Sequence, residues 1–230
     1  MKLFDLFYWK YVDVKRAYDD RRNGIIHFKP FGLRMYCGKQ GAGKTVAMVE
    51  QLEEWRKKYP KAIICTNFYY KHQDYALQSL DDLVKIKNGV DGVIFALDEL
   101  QNEFSSSSSR NFPEAILSTI TMQRKQKIVI LATSQVYTRV AKPLREQCYE
   151  VVECRTFFGR WTRTRCYEAD DYNMVVDSKN PEAKLKCPKK WRYSFVQSDE
   201  IRNSYDTWQV VERLVRDGFA EKPVTIEVTK

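Results

Sequence analysis

The chain has 230 residues, 43% of them hydrophobic and 30% charged, which excludes a disordered polyelectrolyte and leaves enough apolar material for a real core. A net charge of +9 favours a polyanionic partner, such as a nucleotide, a nucleic acid or an acidic lipid. The longest apolar runs, such as VIFAL (93–97) and IVILA (128–132), fall far short of the ~20 residues that cross a bilayer, so no integral membrane span is expected.

In chain order, MKLFDLFYWKYVDV carries Asp5 and Lys10 inside its apolar segment and no small-residue cleavage site, which argues against a secretion signal. Phe4, Phe7, Tyr11, Val14 and Tyr18 recur at spacings of three and four, predicting an amphipathic helix in an N-terminal arm, residues 1–31. That stripe either packs on the chain's own domain or docks a neighbouring subunit, a capsid or a membrane surface.

Residues 32–157 alternate short apolar runs with amphipathic segments, which predicts an α/β core with a central, mainly parallel sheet covered by helices. GLRMYC (32–37) is the first strand. TVAMVEQLEEWRKKY follows as a helix, with Val46, Val49, Leu52, Trp55 and Tyr59 inward and Pro60 at its end. AIICTNF (62–68) is a strand, SLDDLVKIKNG a helix capped at Ser79, and GVIFALDEL a buried strand ending in acids. After five consecutive serines, NFPEAILSTITMQRKQ reads as a helix with Pro113 in its first turn; IVILATSQ (128–135) and CYEVVECRTF (148–157) then return as strands. Residues 158–230 form a C-terminal β/α extension expected to complete the same domain. It comprises a turn at Gly159, the alternating strand RWTRTRCYEA, a polar basic loop at 178–192, and a helix from Ser198 to Gly218 with a short extended tail. Six scattered cysteines with no CxxC pair read as buried free thiols in a reducing compartment.

The chemistry concentrates in two places. GKQGAGKT (38–45) fits GxxxxGK[ST] and sits between a strand and a helix, the context this phosphate loop requires. Gly38, Lys39, Gln40, Gly41, Ala42, Gly43, Lys44, Thr45 and Val46 are therefore the candidate nucleotide-binding residues. Their backbone N–H groups curl around phosphate oxygens at a helix N-terminus, Lys44 reaches the β- and γ-phosphates, and Thr45 ligates Mg2+. ATP and Mg2+ are the expected cofactors. At the end of VIFALDE, Asp98 is the candidate metal-side carboxylate and Glu99 the candidate general base, although an acid pair ending a strand can also serve as a helix N-cap. Two adjacent acids favour attack by water, and no NKxD guanine-reading motif is present.

Arg124 is either a charge complement at a helix C-terminus or an arginine finger for the next subunit's γ-phosphate, with Arg110 as the alternative cation in trans. Gln135, or Ser134 beside it, ends a strand where it can orient the attacking water or sense the γ-phosphate. Two basic groups, Arg155, Arg160, Arg163 and Arg165, and Lys184, Lys186, Lys189, Lys190 and Arg192, are either solvated faces or contacts for nucleic-acid phosphates.

With these residues in place, the chain resembles the FtsK/HerA superfamily of ring-forming, DNA-pumping P-loop ATPases. Within that superfamily it is most similar to viral genome-packaging ATPases and the zonula occludens toxin-like morphogenesis proteins of filamentous phages. The resemblance covers about residues 30–157 and rests on GKQGAGKT, FALDELQNEFSSSSSR and MQRKQKIVILATSQ; a late SYDT (204–207) is similar to an element of the toxin-like branch. Lys125 stands where the family usually has histidine, and Thr-Ser-Gln replaces the usual Thr-Gln, leaving Ser134 and Gln135 as alternative sensors. The resemblance implies a RecA/FtsK-like P-loop NTPase fold and a homo-oligomeric ring, hexamer or pentamer, acting on DNA without sequence preference. It also implies capsid or phage-assembly partners and a place in the host cytoplasm, with virion association, peripheral membrane contact or recruitment to the inner membrane as alternatives. Two rival functions remain: an ATPase that drives filamentous-phage assembly and extrusion, and a P-loop nucleotide kinase with the basic loop as a lid.

Overall fold

The computed structural model describes residues 3–79, 81–103, 118, 121–178 and 186–206. The serine run with Arg110, most of the helix expected after it, the middle of the polar loop and everything from residue 207 lie outside the described residues.

The two most apolar runs of the sequence become the centre of the sheet. Every residue of β5 (Val93–Leu97) and β6 (Ile128–Ser134) is buried, as a strand covered on both faces requires. They run parallel with β1 (Gly32–Cys37), β2 (Ile63–Thr66) and β7 (Cys148–Phe157) in the order β2-β5-β6-β1-β7. The strand carrying the acids is thus separated from the phosphate-loop strand by β6. β3 (Tyr69–Tyr70) lies outside this sheet, and the short β4 (Tyr75–Ala76) pairs with β2 at one edge. At the other edge β8 (Trp161–Glu168) and β9 (Trp191–Val196) add antiparallel, giving eight strands.

One face of the sheet is covered by α2 (Lys44–Lys58), whose Val46, Val49, Leu52 and Trp55 pack with Ile64, Ile94, Val129 and Val152. On the opposite face Met35, Phe95 and Ile130 pack with Leu83 of α3 (Asp82–Lys85), Leu144 and Tyr172. Leu144 lies on α6 (Lys142–Glu146) and Tyr172 on α7 (Ala169–Ser178), which follow the short α4 (Leu100–Glu103) and α5 (Gln123–Gln126). Each fully buried aliphatic or aromatic side chain contributes about 1.5–3 kcal/mol.

Several local expectations change. The helix expected from Ser79 shortens to Asp82–Lys85, because the Asp82 carboxylate turns back to accept from the backbone N–H groups of Gln78 and Ser79. The long helix expected from Ser198 begins as predicted, with the Ser198 hydroxyl accepting from the Ile201 N–H, but α8 (Asp199–Arg202) stops after one turn. Ser204 bonds the Ile201 carbonyl through its hydroxyl, and β10 (Tyr205–Asp206) pairs antiparallel with β3 instead. The sequence reading assigned no helix at α7, although Tyr172, Val175 and Val176 have helical spacing. In the N-terminal arm, α1 (Leu3–Arg22) forms and buries none of its residues: Phe4, Phe7, Tyr11, Val14 and Tyr18 are all exposed. No described helix is long and apolar enough to cross a membrane.

All six cysteines are buried and none is in a disulfide, and burial pushes the Cys65, Cys148, Cys154 and Cys166 thiols up to about 12. In the native state, less than about one equivalent of thiol is expected to react with an aromatic disulfide reagent at pH 8, and all of them in denaturant. Rapid reaction of several thiols before unfolding would contradict this packing.

Candidate functional site

The phosphate loop closes on itself through the Ala42 N–H, which donates to the Lys39 carbonyl at 3.0 Å. Gly43 is the N-cap of α2 with φ 82° and ψ 27°, a left-handed conformation, and it has no side chain to cap the helix. The first intrahelical bond runs from the Ala47 N–H to the Gly43 carbonyl at 3.0 Å. The N–H groups of Lys44, Thr45 and Val46 therefore point out of the helix end, where an anion satisfies them. The far side of the loop is braced by β7, since the Thr156 hydroxyl donates to the Ala42 carbonyl at 3.1 Å and bonds the Thr162 hydroxyl at 2.9 Å.

Lys44 is buried, with Nζ 3.4 Å from the Lys39 carbonyl and 3.9 Å from Glu99 Oε1. Thr45 Oγ1 donates to Asp98 Oδ1 at 2.9 Å. These contacts join the phosphate loop to the acid pair across 53 residues of sequence.

Asp98 is only 4% exposed and is held at four points. Its Oδ1 accepts from Thr45 and, at 2.6 Å, from the Thr133 hydroxyl. Its backbone N–H donates to Asn67 Oδ1 at 2.7 Å, and its carbonyl accepts from Asn67 Nδ2 at 3.1 Å. Burial raises the Asp98 carboxyl above the usual range, while the Thr133 and Thr45 hydroxyls act in the opposite direction.

The Thr133 oxygen also accepts the Glu99 N–H at 2.9 Å, so one hydroxyl aligns both acids. Glu99 sits at φ 52°, a left-handed conformation that costs a non-glycine residue about 1–2 kcal/mol. Its carboxylate is half-buried beside Lys44 and accepts from Gln101 Nε2.

Of the two candidate sensors, Ser134 is buried and its hydroxyl donates to the Val136 carbonyl at 3.0 Å. Gln135 is partly exposed and lines a cavity of about 830 Å³ together with Gly38, Lys39 and Ala42. Arg124 is not brought to this centre. It is exposed on α5, before the first residue of β6, with its guanidinium 5.6 Å from the Phe31 ring. The seven residues of β6 set it about 20 Å from the strand ends that carry Gln135. Gln40 and Gly41 are exposed at the loop tip, and Val46 is buried in the core.

Asn67 and Thr133 were absent from the sequence-level site. The only signal for either was a polar residue at the end of an apolar strand, in CTNF and LATSQ. The SYDT segment contributes through Tyr205, whose hydroxyl is raised by burial and then by the nearby Asp98 charge.

No protein-family model matches the sequence, and the search of curated proteins returned no match. Solved structures do match. The N-terminal domain of zonular occludens toxin from Neisseria meningitidis superposes with a TM-score of 0.55 at 17% identity, covering 77% of this chain and 100% of that one. The genome packaging NTPase B204 from Sulfolobus turreted icosahedral virus 2, in complex with AMPPCP, aligns with a TM-score of 0.47 at 12% identity, covering 76% of this chain and 95% of that one. In fold, the chain is similar to the zonular occludens toxin N-terminal domain, with a large, mostly parallel sheet flanked by helices.

Proposed function

We propose that the chain is a Mg2+-dependent ATPase that assembles as a ring of identical subunits and moves DNA, in the manner of a viral genome-packaging motor. The observation that carries the reading is the single Thr133 hydroxyl bonded to both Asp98 and Glu99, with Thr45 and Lys44 joined to the same acids. Nothing in a purely structural turn calls for a buried aspartate bridging a phosphate-loop hydroxyl.

The Thr45 hydroxyl and the Asp98 carboxylate are hard oxygen donors of the type Mg2+ takes alongside phosphate oxygens and water. When bound, the ion neutralises charge on the β- and γ-phosphates. The outward N–H groups of the loop hold the phosphates, and Lys44 exchanges Glu99 for a γ-phosphate oxygen. The released Glu99 carboxylate takes a proton from water as its oxygen attacks the γ-phosphorus and the bond to the β-bridging oxygen breaks. Gln135 orients that water. Arg124, remote from its own site, is assigned to the neighbouring subunit's γ-phosphate.

A second reading, an ATPase that drives filamentous-virion assembly at the inner membrane, is favoured by the exposed aromatic surface of α1. Phosphate release measured with no DNA, single strands or duplex, over a range of protein concentrations, separates the readings. A DNA motor is expected to show stimulation of several-fold and a turnover per subunit that rises with concentration as the ring forms. DNA-independent turnover would favour the assembly reading, and a phosphorylated small-molecule product would establish a kinase.

A further inference from the structure

The sheet's antiparallel wing carries an arrangement that the fold itself does not need. Strand alternation and register put Arg155, Phe157, Trp161, Arg163, Arg165 and Arg192 on one face of β7, β8 and β9. Arg155 lies directly opposite Arg163, and Arg165 directly opposite Arg192. Like charges opposed across strands destabilise a sheet, and among the described residues none of these four arginines takes part in an ion pair. Their basic neighbours are different: Arg160 pairs with Asp199 at 2.7 Å, and Lys190 with Glu150 and Glu168 at 3.0 and 2.9 Å. Among the described residues the only acid in this part of the face is Glu153, which lies directly opposite Arg165 and accepts from the Tyr167 and Tyr172 hydroxyls.

Beyond the arginines the same face ends in aromatics. The Phe157 and Trp161 rings are 5.4 Å apart, the Arg155 guanidinium lies 4.8 Å from the Phe157 ring, and Trp161 is partly open to solvent. At the hairpin tip Phe158 is 95% exposed at φ 50°, a strained setting for an aromatic residue left open to solvent. Arg155, Phe157, Arg163 and Arg165 line the cavity of about 830 Å³ that also reaches Lys39 and Gln135.

We propose that this face of the β7–β8–β9 wing binds a single nucleic-acid strand, arginines on the phosphates and Phe157, Trp161 and Phe158 against unpaired bases. The proposal rests on the nucleic-acid reading above and deepens it by naming the contact surface and the strandedness. Arginines with interleaved aromatics match a strand whose bases are free to stack, and a concave recess admits a flexible strand rather than the convex cylinder of a duplex. The back of the wing touches the nucleotide site, because Thr156 and Thr162, which brace the phosphate loop at Ala42 and Gly43, alternate with Arg155, Phe157 and Arg163.

Fluorescence anisotropy of a labelled oligothymidine and of a duplex, with the full chain and no nucleotide present, tests this. The native chain is expected to bind the single strand at least about tenfold more tightly than the duplex. Arg163→Gln with Arg165→Gln is expected to weaken strand binding about tenfold or more and to lower the salt slope by about 1.4, two phosphate contacts at about 0.7 each. Trp161→Ala is expected to weaken it about fivefold or more through lost stacking. Melting temperature reports folding: relieving opposed arginines leaves it unchanged or raises it. Wild-type strand affinity in well-folded variants would overturn the wing while leaving the DNA reading intact, as would a preference for duplex. A Lys44→Ala loss equal to that of the arginine variant would assign the binding to the phosphate loop and overturn the proposal. Failure of the native chain to bind either nucleic acid would overturn the underlying reading as well.

Discussion

Glu99→Gln is expected to lower ATP turnover by at least about 100-fold while leaving the affinity for a non-hydrolysable ATP analogue within about threefold of the native value. The substitution keeps the shape of the side chain and its capacity to accept from Gln101, and it leaves the backbone N–H bond to Thr133 untouched. What it removes is the basic oxygen that takes the proton. The ion pair it deletes, with the buried Lys44, is long at 3.9 Å, and the glutamine carbonyl oxygen can still face the ammonium, so folding should be little affected. Single-turnover kinetics beside an analogue titration would decide the matter. Turnover close to the native rate would remove Glu99 from the chemistry, and a parallel collapse in analogue binding would reassign it to holding the nucleotide.

Gly43→Ala is expected to cost about 3 kcal/mol of stability and to weaken nucleotide binding about 100-fold or more. Two effects add. Alanine at φ 82° carries the left-handed penalty of about 1–2 kcal/mol. A Cβ there would also stand 2.5 Å from the Thr156 hydroxyl oxygen and 2.9 Å from that of Thr162, the pair that braces the loop through the Ala42 carbonyl. Moving those threonines aside breaks the brace and leaves a part-buried carbonyl unpaired, a further cost of about 1–3 kcal/mol if water does not replace the bond. The loop N–H groups then lose the geometry that lets several of them meet one anion. Calorimetric melting and analogue binding measure the two effects separately. A variant that melts and binds like the native chain would show the loop to be far more pliable than this packing allows.

The phosphate loop was legible because its chemistry is contiguous. Eight successive residues form one turn, and the strand before and the helix after are marked by composition alone. Asp98 and Glu99 were legible for a similar reason, as acids closing a run in which every side chain is buried. Local periodicity was less dependable at Asp82, where a carboxylate preferred the preceding backbone to helix continuation. At Ser204, pairing of Tyr205 with Tyr70 competed successfully with a helical pattern. In both places a contact outside the reading window outweighed propensities worth a few tenths of a kcal/mol per residue.

The α/β alternation, the phosphate loop and the acid pair are written in local stretches of chain, because each depends on residues within a turn or two of one another. Which polar residues serve that pair depends on strand order instead. Asn67 and Thr133 reach Asp98 from 31 and 35 residues away, and they do so because β6 lies between β1 and β5 while β2 flanks β5. Strand order likewise set Gln135 facing the cavity, turned Ser134 inward and left Arg124 at the opposite end of β6. The stripe on α1 and the arginines of the wing make the same point from outside the core. Their spacing is the same whether a partner covers them or not, and only burial and register distinguish an open surface from a packed one.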